Sequence, residues 1–327
     1  MTRLMLFALM MLSIALCWHA KGACQLPPSS AGLGTVTSFT VNSSVSSASG
    51  NINLNCGSGS TLSLLGDNYI RLQLTGATHI SGGRAVLKHD NGSDQIPIQL
   101  CSTANCSTEL AVNGPQASYD SRQLVNLIGL MGGLNFSIPL FIRTLTGQNV
   151  AAGSYSGTLN VLTSYAICTG IGAVGQCMPG GLQSGSAVVP MTVSLAITND
   201  CTTITAPNIS FGNAPLLTAF SPVSQSITVI CTKGSTYTVG VNYGNNAVNN
   251  VRNMANGGFF ISYDIFKGSG GGRWGDTGGD RWSSSLASGV STDGTLRTYN
   301  YVAQILSGQA TPPAGTYSDN LVVDLSF

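Results

Sequence analysis

The chain has 327 residues, of which only 8% are charged, and its formal net charge is +1. That balance leaves no electrostatic footprint for nucleic acid or for an acidic membrane surface. With 43% apolar residues and 41 glycines it is not of disordered type, and it suits strands separated by many turns.

Met1-Thr-Arg3, an apolar run from Leu4 to about Trp18, and the exit Ala20-Lys-Gly22 read as a secretory signal peptide over residues 1–22. The run is barely long enough for a transmembrane anchor, and Lys21 is out of place in a lipoprotein signal ending at Cys24. Loss of Cys17 with the signal leaves eight cysteines, and an even number in an exported chain points to disulfides. Cys24 to Cys56 and Cys201 to Cys231 have nearly equal separations, as equivalent bridges in two related domains would. Cys101 with Cys106 and Cys168 with Cys177 remain as local clips. No Cys-x2-Cys pair is present, which argues against zinc, and neither a metal nor a cofactor is expected.

A repeat extends beyond the cysteines. Leu33-Gly34 and Ile52, Leu54, Cys56 correspond to Phe211-Gly212 and Ile227, Val229, Cys231. Ser60–Leu65 matches Ser235–Gly240 as the next strand. Arg84 and Ile96–Leu100 match Arg252 and Ile261–Phe266, and Phe136–Ile142 matches Tyr299–Leu306. Asp67–Leu74 has no partner in this alignment and is expected to be an extra edge strand, given the alternation Ile70, Leu72, Leu74. Gly153-Ser-Tyr-Ser and Gly315-Thr-Tyr-Ser open the last strand of each copy. No long segment of 3.6 period exists, so the expected fold is all-β. It comprises two immunoglobulin-like antiparallel sandwiches, an N-terminal domain at 23–197 and a C-terminal one at 198–327.

The two copies end differently. In the first, Met191, Val193, Leu195 and Ile197 alternate as a built-in final strand. In the second, Leu321, Val323, Leu325 and Phe327 alternate and the given sequence then stops. The first copy can therefore complete its own sandwich, whereas the C-terminal one is expected to lack a final strand. Ahead of Cys24 no alternating extension follows the signal.

Cys201, Phe211-Gly212, Cys231-Thr, Arg252-Asn-Met254, Tyr263, Trp274-Gly-Asp276 and Gly315-Thr-Tyr-Ser-Asp319 resemble the spore coat protein U domain. Residues 23–197 keep the cysteine pair and the Gly-Ser-Tyr-Ser strand but lack the Arg-x-Met and Trp-Gly-Asp elements. A chain of this layout looks like the tip adhesin of archaic, Csu-type chaperone–usher pili. The resemblance implies that a periplasmic chaperone and then an adjacent minor pilin subunit supply the final strand missing from the C-terminal sandwich. It implies that a chain with no extension ahead of Cys24 accepts a strand without offering one and so ends the fibre, and it implies an outer-membrane usher and export to the pilus tip, with a part in biofilm formation. It also implies hydrophobic loops that grip an abiotic or host surface. Leu127, Ile128, Leu130, Met131, Ile171, Val174, Met178 and Leu182 are the residues expected to do so, on glycine-broken or disulfide-closed stretches. A buried strand or short helix is the competing reading of the stretch from Leu124. A glycan-binding tip domain and a structural pilus or coat subunit are the alternatives in function. Only His79 and His89 survive signal removal and no nucleophile–His–carboxylate motif is visible, so no enzyme is expected.

Overall fold

The structure is a computed structural model that describes residues 24–57, 62–64, 66–128, 134–169, 171–173, 176–178 and 181–327. The expected signal peptide therefore lies outside the described residues. Two compact units are present. The first gathers residues up to Gly34 with Val45–Leu145 and Tyr155–Leu195, and the second gathers Thr35–Ser44, Thr146–Ser154 and Ala196–Phe327. Both are immunoglobulin-like and nearly all strand. Bridges join Cys24 to Cys56, Cys101 to Cys106, Cys168 to Cys177 and Cys201 to Cys231.

In the first unit the strands run Ser29–Thr37, Leu182–Thr198, Gly153–Cys168, Arg84–His89, Gln95–Cys101, Asn135–Thr144, Ser47–Asn55. Tyr69–Ala77 also pairs with Gly153–Cys168 and carries the short strand Ala117–Asp120 on its other side. Alternate residues point inward along each strand, among them Ile52, Leu54, Ile96, Ile98, Phe136, Ile138, Val161, Met191 and Val193.

In the second unit one sheet runs Cys201–Thr205, Val223–Cys231, Leu296–Ile305, Phe259–Lys267, Arg252–Asn256. A smaller sheet runs Trp282–Ser283, Thr238–Val241, Val323–Ser326. Between them Ile227, Val229, Tyr237, Val239, Tyr263, Ile265, Trp274, Tyr299 and Tyr301 form one core. Trp274 and Trp282 meet edge to face in it, 4.9 Å apart, and each indole N–H reaches a backbone carbonyl.

The pairing order is the same in both units. Ser47–Asn55, Asn135–Thr144, Gln95–Cys101 and Arg84–His89 follow one another as do Val223–Cys231, Leu296–Ile305, Phe259–Lys267 and Arg252–Asn256. Register makes the equivalence residue by residue. Leu87 sits opposite Ile96 as Met254 sits opposite Ile261, and Lys88 meets Ser156 as Ala255 meets Ser318. Along the closing strand, Val161 faces Leu74 and Val323 faces Val241.

Three expectations are corrected by this register. Arg252 has Ala85, not Arg84, as its counterpart, and a one-residue shift in a strand reverses the face. Arg84 accordingly points outward to Glu109, whereas Arg252 is fully buried beside Asp264. Tyr69–Ala77 is the counterpart of Thr238–Val241, so Ser60–Leu65 is not; its described residues, 62–64, form no strand. Asp67–Leu74 is then neither an insertion nor an edge strand. Ile70, Leu72 and Leu74 are buried because this strand is paired on both sides and floors the core.

Candidate functional site

The closing strands of the two units meet different surroundings. Gly153–Cys168 is flanked by Tyr69–Ala77 and by Leu182–Thr198. Val323–Ser326, among the described residues, pairs with Thr238–Val241 alone. Its outer edge faces an open cleft. One wall is the segment from Ala206 to Phe220, and the other is the segment from Thr311 to Val323. The cleft consists of two adjoining cavities of ≈ 330 Å³ and ≈ 630 Å³, which share Ile209, Phe211, Met254 and Tyr317 in their linings. Core residues Ile227, Ile265 and Trp274 line the first.

What would be core elsewhere is half-exposed here. Ile209, Phe211, Met254, Ile305, Leu321, Val323 and Leu325 pack against the core of the second unit while remaining only partly buried. Their counterparts in the first unit show what a closed sandwich does. Leu87 and Leu159, equivalent to Met254 and Leu321, are buried. Phe327 is 65% exposed, its ring 5.9 Å from that of Tyr237. Each half-exposed aliphatic forgoes roughly 1 kcal/mol of the 1.5–3 kcal/mol that full burial would contribute.

The rim of the cleft is held by polar contacts. Asp319 accepts hydrogen bonds from Tyr263 Oη at 2.8 Å, the Asn245 N–H at 3.0 Å and Asn246 Nδ2 at 3.2 Å. Gly244, at φ +81°, leaves room for that carboxylate, since a Cβ there would lie 2.0 Å from Asp319 Oδ2. Beneath it Arg252 donates to Asp264 at 2.5 Å and to the carbonyls of Val241, Asn242 and Trp274, and Arg273 reaches the other Asp264 oxygen at 2.7 Å. Burial lowers the pKa of Arg252 from its ordinary value, and Asp264 opposes that shift. Arg281 binds the Asp324 carboxylate at 2.7 Å and the carbonyl of Thr238, tying the closing strand to its single neighbour. Burial pushes the Tyr301 phenol up to about 12 and that of Tyr263 further still, so these two phenols of the cleft lining stay neutral over the ordinary pH range.

A second feature lies in the first unit, where three loops converge. The Cys56 N–H donates to Leu134 O, and the Leu134 N–H to Gly57 O. The Ser63 N–H donates to Cys168 O, while the Cys168 N–H donates to Asn68 Oδ1 at 2.6 Å. The hairpin Gly172–Ala173 with Gln176–Cys177 is pinned by the Cys168–Cys177 bridge and by Thr169, whose N–H and hydroxyl both reach Gly181 O. Ile171, Met178 and Leu182 are 73%, 54% and 54% exposed. Leu127 and Ile128 are half-buried, tied by backbone contacts to Ser137 and Phe136. Just before them Ser121–Val125 is a short helix with an Asp120–Gln123 capping box and a buried Leu124. Leu130, Met131 and Val174 lie outside the described residues.

Sequence reasoning passed over Leu64, 60% exposed in the loop joined to Cys168 through Ser63, because the match of Ser60–Leu65 to Ser235–Gly240 suggested a strand. It also passed over the cleft wall, although Phe211-Gly212 was the one visible signal there. Trp274 and Trp282 are buried and hydrogen-bonded, so neither offers an open face for a sugar. Among the described residues no cluster of His, Cys, Asp and Glu is assembled to hold a metal ion.

Comparison with known proteins follows from this geometry. The family profile described as Spore Coat Protein U domain matches residues 10–162 and again 187–324. The chain belongs to the Spore Coat Protein U domain family. The two matches begin at comparable points, at residue 10 ahead of Cys24 and at residue 187 ahead of Cys201. In this family member, therefore, Ala187–Ile197 is profiled with the second copy but pairs within the first unit's sheet. No curated protein matches the sequence. Among solved structures, the chain is similar to the CsuC–CsuE chaperone–tip adhesion subunit pre-assembly complex from the archaic chaperone–usher Csu pili of Acinetobacter baumannii. Identity there is 25%, with 93% of this chain and 100% of that chain covered and a TM-score of 0.56. A match of lower similarity is the CupB6 tip adhesin from Pseudomonas aeruginosa, at 12% identity, 92% and 94% coverage and a TM-score of 0.37.

Proposed function

We propose that this protein is a chaperone–usher pilus adhesin that occupies the pilus tip. The second unit accepts a strand from another chain, and the first attaches to a surface. The observation that carries the reading is the contrast between the closing strands: Gly153–Cys168 is covered by Leu182–Thr198, whereas Val323, at the start of Val323–Ser326, lines an open cleft in which core residues are only partly buried. A strand laid along that edge would bond its free backbone groups and place alternate side chains on Met254, Phe211 and Leu321. A periplasmic chaperone would supply it first, and the extension of an adjacent minor pilin would replace it after passage through an outer-membrane usher. The similarity to a chaperone–tip adhesion subunit complex supports the chaperone as a partner.

On the first unit, Leu64, Ile171, Met178 and Leu182 present aliphatic side chains close to the Cys168–Cys177 bridge, Leu127 and Ile128 are half-buried, and Leu130, Met131 and Val174, outside the described residues, are included from the sequence. Exposed aliphatic groups on restrained loops suit an abiotic hydrophobic surface or an apolar host surface, and thereby biofilm formation. The test uses the mature chain and a synthetic peptide of residues 182–198, the strand already fitted to an equivalent groove. Saturable binding that raises the unfolding temperature of the second unit is expected. A second unit equally stable and monomeric with and without any added strand would refute the reading.

A further inference from the structure

Four buried polar atoms without a hydrogen-bond partner belong to Arg297, Tyr237 and Tyr299 of the second unit, none of which lines the cleft. Arg297 is only 8% exposed, and its Nε and Nη1 have no hydrogen-bond partner. Tyr237 and Tyr299 are 3% and 0% exposed, and their hydroxyls face each other with no other partner. Arg297 lies over the Tyr237 ring, its Cζ 5.3 Å from the centroid. Tyr299 follows two positions later on the same strand, Leu296–Ile305, and so faces the same side of the sheet. Its ring is walled by Trp282 at 5.4 Å and Trp274 at 6.1 Å.

Nothing on neighbouring strands answers the charge. Arg297 stands between Val229 and Val290 in the ladder, and it makes no ion pair with a carboxylate among the described residues. The other buried arginine, Arg252, is by contrast matched by Asp264 and three carbonyls. A guanidinium stays protonated at any ordinary pH. Buried without an anion it is costly, and a single cation–π contact leaves its in-plane donors unanswered. The two phenols answer one another only in part, and the unpaired guanidinium N–H groups in this aromatic surround need an acceptor.

We propose that Arg297, Tyr237 and Tyr299 form an internal site for a small monovalent anion, a halide or a carboxylate. The guanidinium supplies charge and donors, the phenol O–H left free by the Tyr237–Tyr299 contact donates a hydrogen bond, and the aromatic walls exclude water and so strengthen each contact.

The test uses the mature chain. Crystals soaked in bromide are expected to show an anomalous peak within hydrogen-bond reach of Arg297. In solution at constant ionic strength, the unfolding temperature is expected to rise saturably with bromide or with acetate. A response to bromide identifies a free halide, and a response to acetate alone identifies a carboxylate carried by another molecule; either supports the site. Arg297→Met should abolish the response. Should that variant fail to fold, the Tyr237→Phe, Tyr299→Phe pair carries the test, with an apparent affinity about tenfold weaker. No bromide peak, together with an unfolding temperature that follows ionic strength alone and equally in the double variant, would overturn the proposal.

Discussion

The two units are built on one pairing order yet differ at the closing strand, and that difference is the instructive one. In the first, Leu159 and Val161 are sealed by Leu182–Thr198, whose own Val189, Met191, Val193 and Leu195 are buried. In the second, the equivalent Leu321 and Val323 have a neighbour on one side only and remain half-exposed. The same alternating pattern thus yields a finished core or an open one according to whether a further strand is at hand. Inside the second unit the opening is braced instead of collapsed. Asp319, Arg252 with Asp264, and Arg281 with Asp324 fix the rim by polar contacts that do not depend on an occupant.

The comparison can be broken most directly by giving the second unit what the first has. Residues 182–198 appended after Phe327 through a flexible linker should raise the unfolding temperature of the second unit by about 10 °C or more, since several half-exposed apolar side chains become buried at once. Calorimetry showing no shift would mean that the two closing strands are not equivalent.

The next effect separates the ion pairs. Arg252→Ala leaves Asp264 buried with a partner removed and should cost about 3–5 kcal/mol in chemical denaturation. Arg84→Ala disrupts a partly exposed pair with Glu109 and should cost no more than about 1 kcal/mol. Equal losses would undo the register assignment that places Ala85, not Arg84, opposite Arg252.

A finer measurement compares equivalent leucines. Leu159→Ala should cost about 2–5 kcal/mol, as a fully buried truncation does, and Leu321→Ala only about 1 kcal/mol in the absence of an added strand. Adding the 182–198 peptide should enlarge the second cost toward the first. The smallest change in stability is expected at the loops. The triple change Leu64→Ser, Ile171→Ser and Met178→Ser should alter unfolding by no more than about 0.5 kcal/mol per site. It should nevertheless reduce attachment of the protein to polystyrene several-fold, and undiminished attachment would remove these loops from the proposed contact surface.

Much of this was legible in the chain itself. Period-two alternation, turn-forming glycines and paired cysteine spacings are local properties, so the all-β class, the duplication and the strand Met191–Ile197 could be read directly. The resemblance to the spore coat protein U domain rested on the same local features, spaced along residues 201–327. Alternation does not say how many neighbours a strand has, which is why Ile70, Leu72 and Leu74 suggested an edge and proved to be core. Nor does it fix register to one residue, and so Arg84 was set beside Arg252 although they face opposite ways. The cleft could not be read at all, because Phe211, Met254 and Leu321 are far apart in sequence and resemble any core residues. Which apolar side chains stay partly open to water, and which buried cation lacks a counter-charge, depends on contacts between distant segments, and only the tertiary structure decided them.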